Sequence, residues 1–152
     1  MSDACPRVVL ETNVLLVSVS SRSKFHWIFR GLLAGRFQLL ISNEILSEYE
    51  EVISDKLDPE VAKNVVRTLL LLPNVEQVHP SYRWSLITAD PDDDKFVDCA
   101  VAGNAHALVT EDRHFRVLKD LDFPRVRPVS IESFQTLLRV GSVGPRPSTS
   151  PL

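Results

Sequence analysis

The sequence predicts an α/β fold, a three-layer α/β/α sandwich with a mainly parallel central sheet. Short apolar runs typical of buried strands alternate along the chain with longer segments that have helical spacing. Such alternation favours a parallel sheet that is covered by helices on both faces. The chain has 152 residues, 44% of them hydrophobic and 24% charged, which suits one globular domain with a hydrophobic core.

The first part of the chain is predicted to hold two strands and two helices. Arg7–Leu10 (RVVL) suits a short buried strand, and the segment TNVLLVSVS suits the turn into a first helix. Lys24–Leu33 has apolar side chains on one helical face, and Gly35 is a natural helix stop. Phe37–Ile41 (FQLLI) is predicted to be the second strand.

Two more helices and a strand are predicted before residue 80. Ser42 is expected to cap the helix SNEILSEYEEVI, without a full capping box. Asp58 and Pro59 open a helix that runs to about Leu72, with proline at its first position. Val75–His79 alternates weakly and is predicted to be the third strand.

The remaining elements complete one domain, predicted for residues 1–140, and residues 141–152 (GSVGPRPSTSPL) have the composition of a flexible C-terminal tail. The predicted elements are, in order, an acidic turn at Ile87–Asp94, a helix at Lys95–Ala105, a buried strand at Ala107–Thr110, a short helix at Glu111–Leu118, a strand at Val126–Val129 and a last helix that Ser130 caps.

Charge and composition limit the classes of function. The net charge of −3 differs from the basic balance of proteins that bind nucleic acids by bulk charge, so any such binding must be local or metal-mediated. Cys5 and Cys99 form neither a disulfide framework nor a zinc motif and are expected to be free thiols. The start MSDACPRVVLE lacks the features of a signal peptide, and no apolar run is long enough to span a membrane. We therefore expect a cytoplasmic protein.

Acidic residues follow or adjoin several of the predicted strands. Glu11 comes directly after the first strand, Asp112 follows the strand Ala107–Thr110, and the run Asp90–Asp94 precedes that strand's helix. Glu48 lies in the helix after the second strand. Because ligands of such sheets bind at the carboxyl ends of the strands, we expect these carboxylates to converge. Converging carboxylates repel each other unless a cation compensates, and oxygen ligands suit Mg²⁺ or Mn²⁺.

Each acid taken alone also has an ordinary structural interpretation. Glu48 suits a solvated helix face, the run Asp90–Asp94 suits a turn with helix N-terminal charges, Asp112 suits a helix cap, and Asp98 suits an exposed helix position. Joint placement of the acids is what favours a metal site. The four histidines are not clustered in the sequence. The chain also lacks a phosphate-binding glycine loop, a dinucleotide-binding motif and a serine nucleophile motif.

From about residue 7 to residue 132, the order and spacing of these motifs resemble those of the PIN domain family. Glu11-Thr12-Asn13 after a strand is similar to that family's opening Asp-Thr-Asn signature. Ser42–Tyr49 is similar to the second acidic helix, while Asp90–Asp98 and Leu108–Asp112 resemble the third and fourth acidic motifs. Among PIN proteins, the chain most resembles the bacterial toxins of toxin–antitoxin pairs.

The resemblance implies a metal-dependent endoribonuclease that cuts single-stranded RNA, with Mg²⁺ or Mn²⁺ as its cofactor. The catalytic, metal-binding acids implied are Glu11, Glu48, Asp93 and Asp112, with Asp94 as the alternative third ligand and Asp98 one helical turn further on. Thr12, Asn13 and Thr110 would orient these acids. Three basic residues are either contacts to the RNA backbone or a solvated helix face: Arg113, Arg116 and Lys119.

One position departs from the family pattern, because the first acid is usually aspartate and here it is Glu11. The extra methylene shifts the carboxylate by about one carbon–carbon bond, an error that catalytic geometry tolerates poorly. An alternative function is therefore a PIN-like module that binds RNA or an antitoxin without efficient cleavage. A phosphatase-like hydrolase is disfavoured, since Glu11-Thr12-Asn13 does not supply the Asp-x-Asp nucleophile motif.

The resemblance also implies protein partners. Toxins of this kind are neutralised by a small antitoxin and commonly form homodimers. Apolar residues of the predicted second helix are candidates for such contacts, although a core role suits most of them: Phe25, Trp27, Ile28 and Phe29, of which Trp27 is expected to be the most exposed.

Overall fold

The computed structural model describes residues 5–143, and it describes side chains for residues 5–139. Within this range five strands form one sheet in the order β3-β2-β1-β4-β5, and every neighbouring pair is parallel. The strands are β1 (Arg7–Leu10), β2 (Gln38–Ile41), β3 (Val75–Gln77), β4 (Ala107–Val109) and β5 (Pro128–Val129). The parallel α/β fold predicted from the sequence is therefore confirmed.

Helices connect all but the last pair of strands. They are α1 (Thr12–Val19), α2 (His26–Leu33), α3 (Asn43–Lys56), α4 (Pro59–Leu71), α5 (Asp94–Ala102) and α6 (Ile131–Val143), and the last follows β5. Two 3₁₀ segments, Pro91–Asp93 and Arg113–Asp120, precede α5 and β5. No helix of the described residues combines the length and apolar character needed to cross a membrane.

The central strands are buried on both faces. Val8, Val9 and Leu10 of β1 have no exposed surface, and Leu108 and Val109 of β4 are equally buried. Consecutive strand residues point to opposite faces, so burial of consecutive residues requires helices on both sides of the sheet. This accounts for apolar strand sequences that do not alternate with polar residues.

Side-chain caps explain where several helices begin. Ser42 accepts a hydrogen bond from the Ile45 amide at 3.3 Å, as its predicted capping role requires. The Asp58 carboxylate accepts from the amide of Glu60 at 2.9 Å, and Pro59 occupies the first helical position of α4. Glu11 itself caps α1, so the first predicted site residue also has a structural task.

Several predicted boundaries differ from those observed. The helix predicted from Lys24 begins at His26, and β3 ends at Gln77. The last strand, predicted over Val126–Val129, is reduced to Pro128 and Val129, since Pro128 has no N–H to extend the ladder. The helix predicted at Glu111–Leu118 is a 3₁₀ helix that begins after Asp112. For the predicted tail, α6 continues to residue 143, and residues 144–152 lie outside the described part.

The order of strands reverses between β1 and β4. From β1 the chain moves outward through β2 to β3, then returns to the other side of β1 to form β4 and β5. A reversal of this kind leaves a crevice at the carboxyl ends of the two central strands, where α/β proteins bind their ligands. The segments after Leu10 and Val109 lead into this crevice.

Candidate metal centre

Glu11 lies at the carboxyl end of β1 and is held there by the backbone. Its amide donates a hydrogen bond to the carbonyl of Val109 at 3.0 Å, which joins the ends of β1 and β4. Its carboxylate accepts from the Asn13 amide at 3.2 Å, the contact that caps α1. The residue is only 6% exposed. A carboxylate at this position is therefore buried with little hydrogen bonding to stabilise its charge.

The electrostatic consequence is a carboxyl group that resists ionisation. Burial raises the pKa of Glu11 from its ordinary value of 4.5 to about 7, although the Asn13 hydrogen bond acts against the rise. The carboxylates of Asp93, Asp112 and Glu48 raise this pKa further. The structure therefore brings the four acids implied by the resemblance into one electrostatically coupled group.

Glu48 reaches this group from α3. The neighbouring Tyr49 is fully buried, and its hydroxyl donates to the Leu10 carbonyl at 2.6 Å, which fixes α3 against the end of β1. The Thr12 hydroxyl donates to Glu48 Oε2, and Lys95 Nζ lies 2.7 Å from Glu48 Oε1. Both oxygens of this carboxylate are thus engaged by the protein, and its charge is compensated by Lys95.

Asp93 ends the 3₁₀ turn before α5 and is 8% exposed. Within the described residues, its Oδ2 is the one buried side-chain oxygen or nitrogen without a hydrogen-bond partner. Burial, with Asp90 and Asp112 adding to it, raises the pKa of Asp93 from 3.8 to about 6, although His114 and Lys95 lower it. An unpartnered buried carboxylate oxygen is costly, and a bound cation is one partner that would offset this cost.

Asp112 follows β4 and caps the 3₁₀ helix Arg113–Asp120. Its Oδ1 accepts from the His114 amide at 2.9 Å, and its own amide donates to Thr110 Oγ1 at 3.0 Å. His114 Nδ1 lies 3.5 Å from Asp112 Oδ1 and 4.0 Å from Asp93 Oδ2. The imidazole therefore lies between the two carboxylates.

The polar residues expected to orient the acids act in different ways. Thr12 contacts Glu48 through its hydroxyl, and Thr110 contacts the backbone of Asp112. Asn13 contacts Glu11 through its backbone amide, and its side chain is exposed.

Asp94 and Asp98 face a different part of the molecule. Asp94 Oδ1 accepts from the Ile87 amide at 2.8 Å, and Asp98 Oδ1 accepts from the Trp84 amide at 2.9 Å. Burial is the main cause that raises the pKa of Asp98, and its charged neighbours are Asp94, Arg83 and Glu44 rather than the four acids. Both carboxylates thus bind the loop between β3 and α5, which identifies a use for them other than metal binding.

Arg113, Arg116 and Lys119 lie along one side of the 3₁₀ helix that starts at Asp112. Their three-residue spacing matches the three residues per turn of a 3₁₀ helix, so the side chains project in a row. All three are exposed. They line a shallow cleft together with Thr110 and Asp112.

His114 and Lys95 lie near the acids but were not identified as site residues from the sequence, and Asp90 was noted only within the run Asp90–Asp94. Oxygen atoms of Asp90 and Asp93 and a ring nitrogen of His114 lie within 4.8 Å of one another, which is close enough to hold one metal ion. Lys95 forms the ion pair with Glu48. The position of His114 two residues after Asp112 could have indicated that it lies near the acids. The contact of Lys95 with α3 could not be predicted in this way, because it depends on tertiary packing.

A largely apolar cleft of about 630 Å³ adjoins Glu11. Its apolar walls include Phe25 and Trp27 of the α2 region, which are half-buried, while Ile28 of the same helix is fully buried. Trp27 packs against Phe134 of α6 with ring centroids 5.9 Å apart. Carboxylates of Glu11, Glu111 and Glu132 and the amine of Lys24 also line this cleft.

The donor set fits a hard divalent cation. It consists mainly of carboxylate oxygens, which suit Mg²⁺ and Mn²⁺, and the group contains no cysteine thiolate. A cation would supply the partner that Asp93 Oδ2 lacks and would offset the repulsion that raises the pKa of Glu11. Such an ion would relieve the electrostatic repulsion among the carboxylates of Glu11, Asp93 and Asp112.

Comparison with known proteins gives a family profile and structural neighbours. The profile of the PIN domain matches residues 7–114. A chain of VapBC2 from Rickettsia felis, bound to a DNA fragment from its promoter, is 19% identical with a TM-score of 0.57, and the match covers 82% of this chain and 98% of that one. A chain of DNA-bound VapBC from Salmonella typhimurium is also 19% identical, with a TM-score of 0.52 and coverage of 83% and 98%. At this identity the neighbours establish a shared fold. No curated protein matches the chain significantly.

Proposed function

This chain belongs to the PIN domain family, and from that membership we propose that it is a metal-dependent endoribonuclease for single-stranded RNA, the toxin of a toxin–antitoxin pair. The observation that carries the proposal is the coupled group of Glu11, Asp93 and Asp112 at the reversal of strand order, with Asp93 Oδ2 buried and unpartnered. Carboxylates that repel one another destabilise the folded chain. Their placement at a ligand-binding crevice therefore supports a role in binding rather than in stability.

Glu11, Asp93 and Asp112 would hold Mg²⁺ or Mn²⁺, and Glu48 would complete the group. Such an ion would lower the pKa of a bound water and would offset the negative charge of the phosphate. The chain itself orients the ligands: Thr12 and Lys95 fix the Glu48 carboxylate, and the capping bond fixes Asp112. The exposed imidazole of His114 lies between Asp93 and Asp112.

The row Arg113, Arg116 and Lys119 supports RNA as the substrate. A single line of cations suits one phosphate backbone, and it begins next to Asp112. Because these positive charges are grouped in one place, the chain could bind a phosphate backbone there although its net charge is −3. Contacts of this type position a nucleic acid without reading its sequence.

A second candidate function is a PIN module that binds without efficient cleavage. The observation that favours it is the double role of Glu11, whose longer side chain is also bonded to the Asn13 amide as the cap of α1. A carboxylate held in this way has less freedom to adjust to an ion. Metal binding would persist in such a module while turnover would be low.

The variant Glu11→Asp distinguishes the two candidates. If the chain is an active nuclease, we expect the native protein to cut single-stranded RNA with Mn²⁺ and Glu11→Asp to cut it more slowly, because the shorter side chain displaces the carboxylate. Since a misplacement of about 1 Å can cost about a hundredfold in rate, a gain of that size would identify the native chain as the impaired module. Initial rates on a labelled oligoribonucleotide measure this, and Glu11→Gln is the inactive control.

We propose that the antitoxin covers the cleft beside Glu11. The cleft combines the apolar walls of Phe25 and Trp27 with the carboxylates of Glu111 and Glu132, which suits a partner with apolar and cationic side chains. The neighbouring structures from Rickettsia felis and Salmonella typhimurium are complexes of VapB with VapC, which supports a protein partner here. A partner in this cleft would occlude Glu11.

We also propose that the chain forms a homodimer. Leu70 and Leu71 are exposed at the end of α4, where a second copy would remove them from water. Sedimentation velocity of the chain alone, then mixed with the product of the neighbouring gene, tests both partners. We expect a dimer that becomes a larger complex. A monomer would contradict the proposed homodimer. Unchanged sedimentation in the mixture would show that the product of the neighbouring gene is not the antitoxin of this chain.

A further inference from the structure

Three aromatic side chains from two separate loops meet on the surface. The rings of Tyr82 and Trp84 have centroids 4.6 Å apart, and the rings of Trp84 and Phe123 have centroids 5.5 Å apart, both edge-to-face. Tyr82 and Trp84 lie between β3 and α5, whereas Phe123 lies between the long 3₁₀ helix and β5. We call these three residues the aromatic platform.

The platform is not part of the hydrophobic core. Tyr82 is 63% exposed and Phe123 is 79% exposed, the highest value among the large hydrophobic side chains that the structure describes. Trp84, between them, is half-buried. Apolar surface left in water gains nothing for folding, so the exposed rings of Tyr82 and Phe123 are candidates for a binding role.

The loop that carries two of these rings is fastened to α5. Asp98, which is buried, accepts the Trp84 amide, and Asp94 accepts the Ile87 amide, as described above. Asp93 immediately precedes Asp94, and at 1.5 Å per helical residue Asp98 is only about 8 Å further along the axis. The loop is therefore fastened to the helix that Asp93 precedes, which pre-organises the platform for binding.

The 3₁₀ helix provides a second connection between the platform and the acids. It begins after Asp112, ends at Asp120 and leads directly to Phe123. Arg113, Arg116 and Lys119 project from it, and none of the three is within ion-pair distance of a described carboxylate. A line of available cations thus runs from the acid group toward the exposed rings.

We propose that the aromatic platform stacks unpaired bases of the RNA that the acid group cuts; this inference rests on the proposed nuclease function. Single-stranded nucleic acids are bound by cations along the backbone together with aromatic rings for the bases, and stacking tolerates any base. A protein partner would also cover exposed rings, but the adjoining free cations and the continuity with the acid group favour a polyanion with aromatic bases. RNA held here would extend beyond the acid group along the 3₁₀ helix.

The test measures binding of labelled hexauridylate by fluorescence anisotropy in EDTA, so that binding is separated from cleavage. We expect Phe123→Ala to weaken binding about tenfold, since removal of a stacking ring costs on the order of 1–3 kcal/mol. Phe123→Tyr should bind as the native chain does. Leu57→Ala is the matched control, because Leu57 is an exposed apolar residue at 46% that follows α3 and lies in neither loop of the platform.

Two further measurements separate stacking from charge and from protein association. A hexamer of abasic ribose phosphates should bind the native chain and Phe123→Ala equally. In a Trp27→Phe variant, Trp84 is the one remaining tryptophan of the two in the sequence, and hexauridylate should quench its fluorescence.

The outcomes distinguish this inference from the proposed function. Equal hexauridylate affinity for Phe123→Ala and the native chain, with RNA still cut in Mn²⁺, would overturn the platform alone. Absence of both binding and cleavage in the native chain would overturn the platform together with the nuclease. Loss of a dimer in Phe123→Ala with unchanged RNA affinity would assign the rings to a second copy of the chain and overturn the inference.

Discussion

Asp112→Asn should reduce Mn²⁺-dependent RNA cleavage by roughly a hundredfold or more, because it removes one of the charges that stabilise the cation and the reacting phosphate. Asparagine retains the oxygen that accepts the His114 amide at 2.9 Å, so the cap of the 3₁₀ helix should persist. Initial cleavage rates and thermal unfolding, measured on the same preparations, separate loss of chemistry from loss of fold.

Asp120→Asn provides the matched control for this variant. Asp120 is an exposed aspartate at the other end of the same 3₁₀ helix, and its neutralisation changes the net charge by the same amount. We expect Asp120→Asn to cut RNA at the native rate. Equal activity of Asp112→Asn and the native chain would remove Asp112 from the site.

The metal-free chain should lose stability as the pH rises from about 4 to 7. Burial raises the pKa of Glu11 from 4.5 to about 7, and of Asp93 from 3.8 to about 6. Between these values the folded state binds more protons than the unfolded state, so the free energy of unfolding falls as the pH rises. Each unit of pKa difference corresponds to about 1.4 kcal/mol, which gives a total fall of roughly 6 kcal/mol for the two groups.

A divalent cation should reverse this loss. At pH 8 both carboxyl groups are ionised and available, and an ion at a hundred times its dissociation constant would add about 2.7 kcal/mol to the free energy of unfolding. At pH 5 protons compete with the ion, so the same Mn²⁺ concentration should have little effect. Denaturant unfolding at both pH values, in EDTA and in Mn²⁺, measures this. Equal stability with and without Mn²⁺ at pH 8 would contradict a cation site at Glu11 and Asp93.

The sequence allowed the sheet and its functional edge to be predicted, because both depend on local patterns. Apolar runs identify β1 and β4, and residues directly after parallel strands must lie at one edge of the sheet. That reasoning is enough to bring Glu11 and Asp112 together. The helix α3 was similarly predictable from its Ser42 cap.

The directions of side chains were less predictable, because they depend on tertiary contacts. Asp98 follows Asp94 by one helical turn, and the sequence cannot show that both face the loop of Trp84 rather than Glu11. The pairing of Lys95 with Glu48 likewise depends on how α3 and α5 pack. The aromatic platform joins residues about 40 positions apart, which no local pattern connects.

The hydrogen bond from Tyr49 to the Leu10 carbonyl restricts movement of α3 relative to β1. It is buried, and its loss would leave a polar group without a partner at a cost of about 1–3 kcal/mol. Any shift of α3 that carried Glu48 away from Glu11 would break it. The arrangement of Glu11 and Glu48 is consequently set when the chain folds. If these acids are catalytic as proposed, a partner would inhibit the protein by covering them rather than by rearranging them.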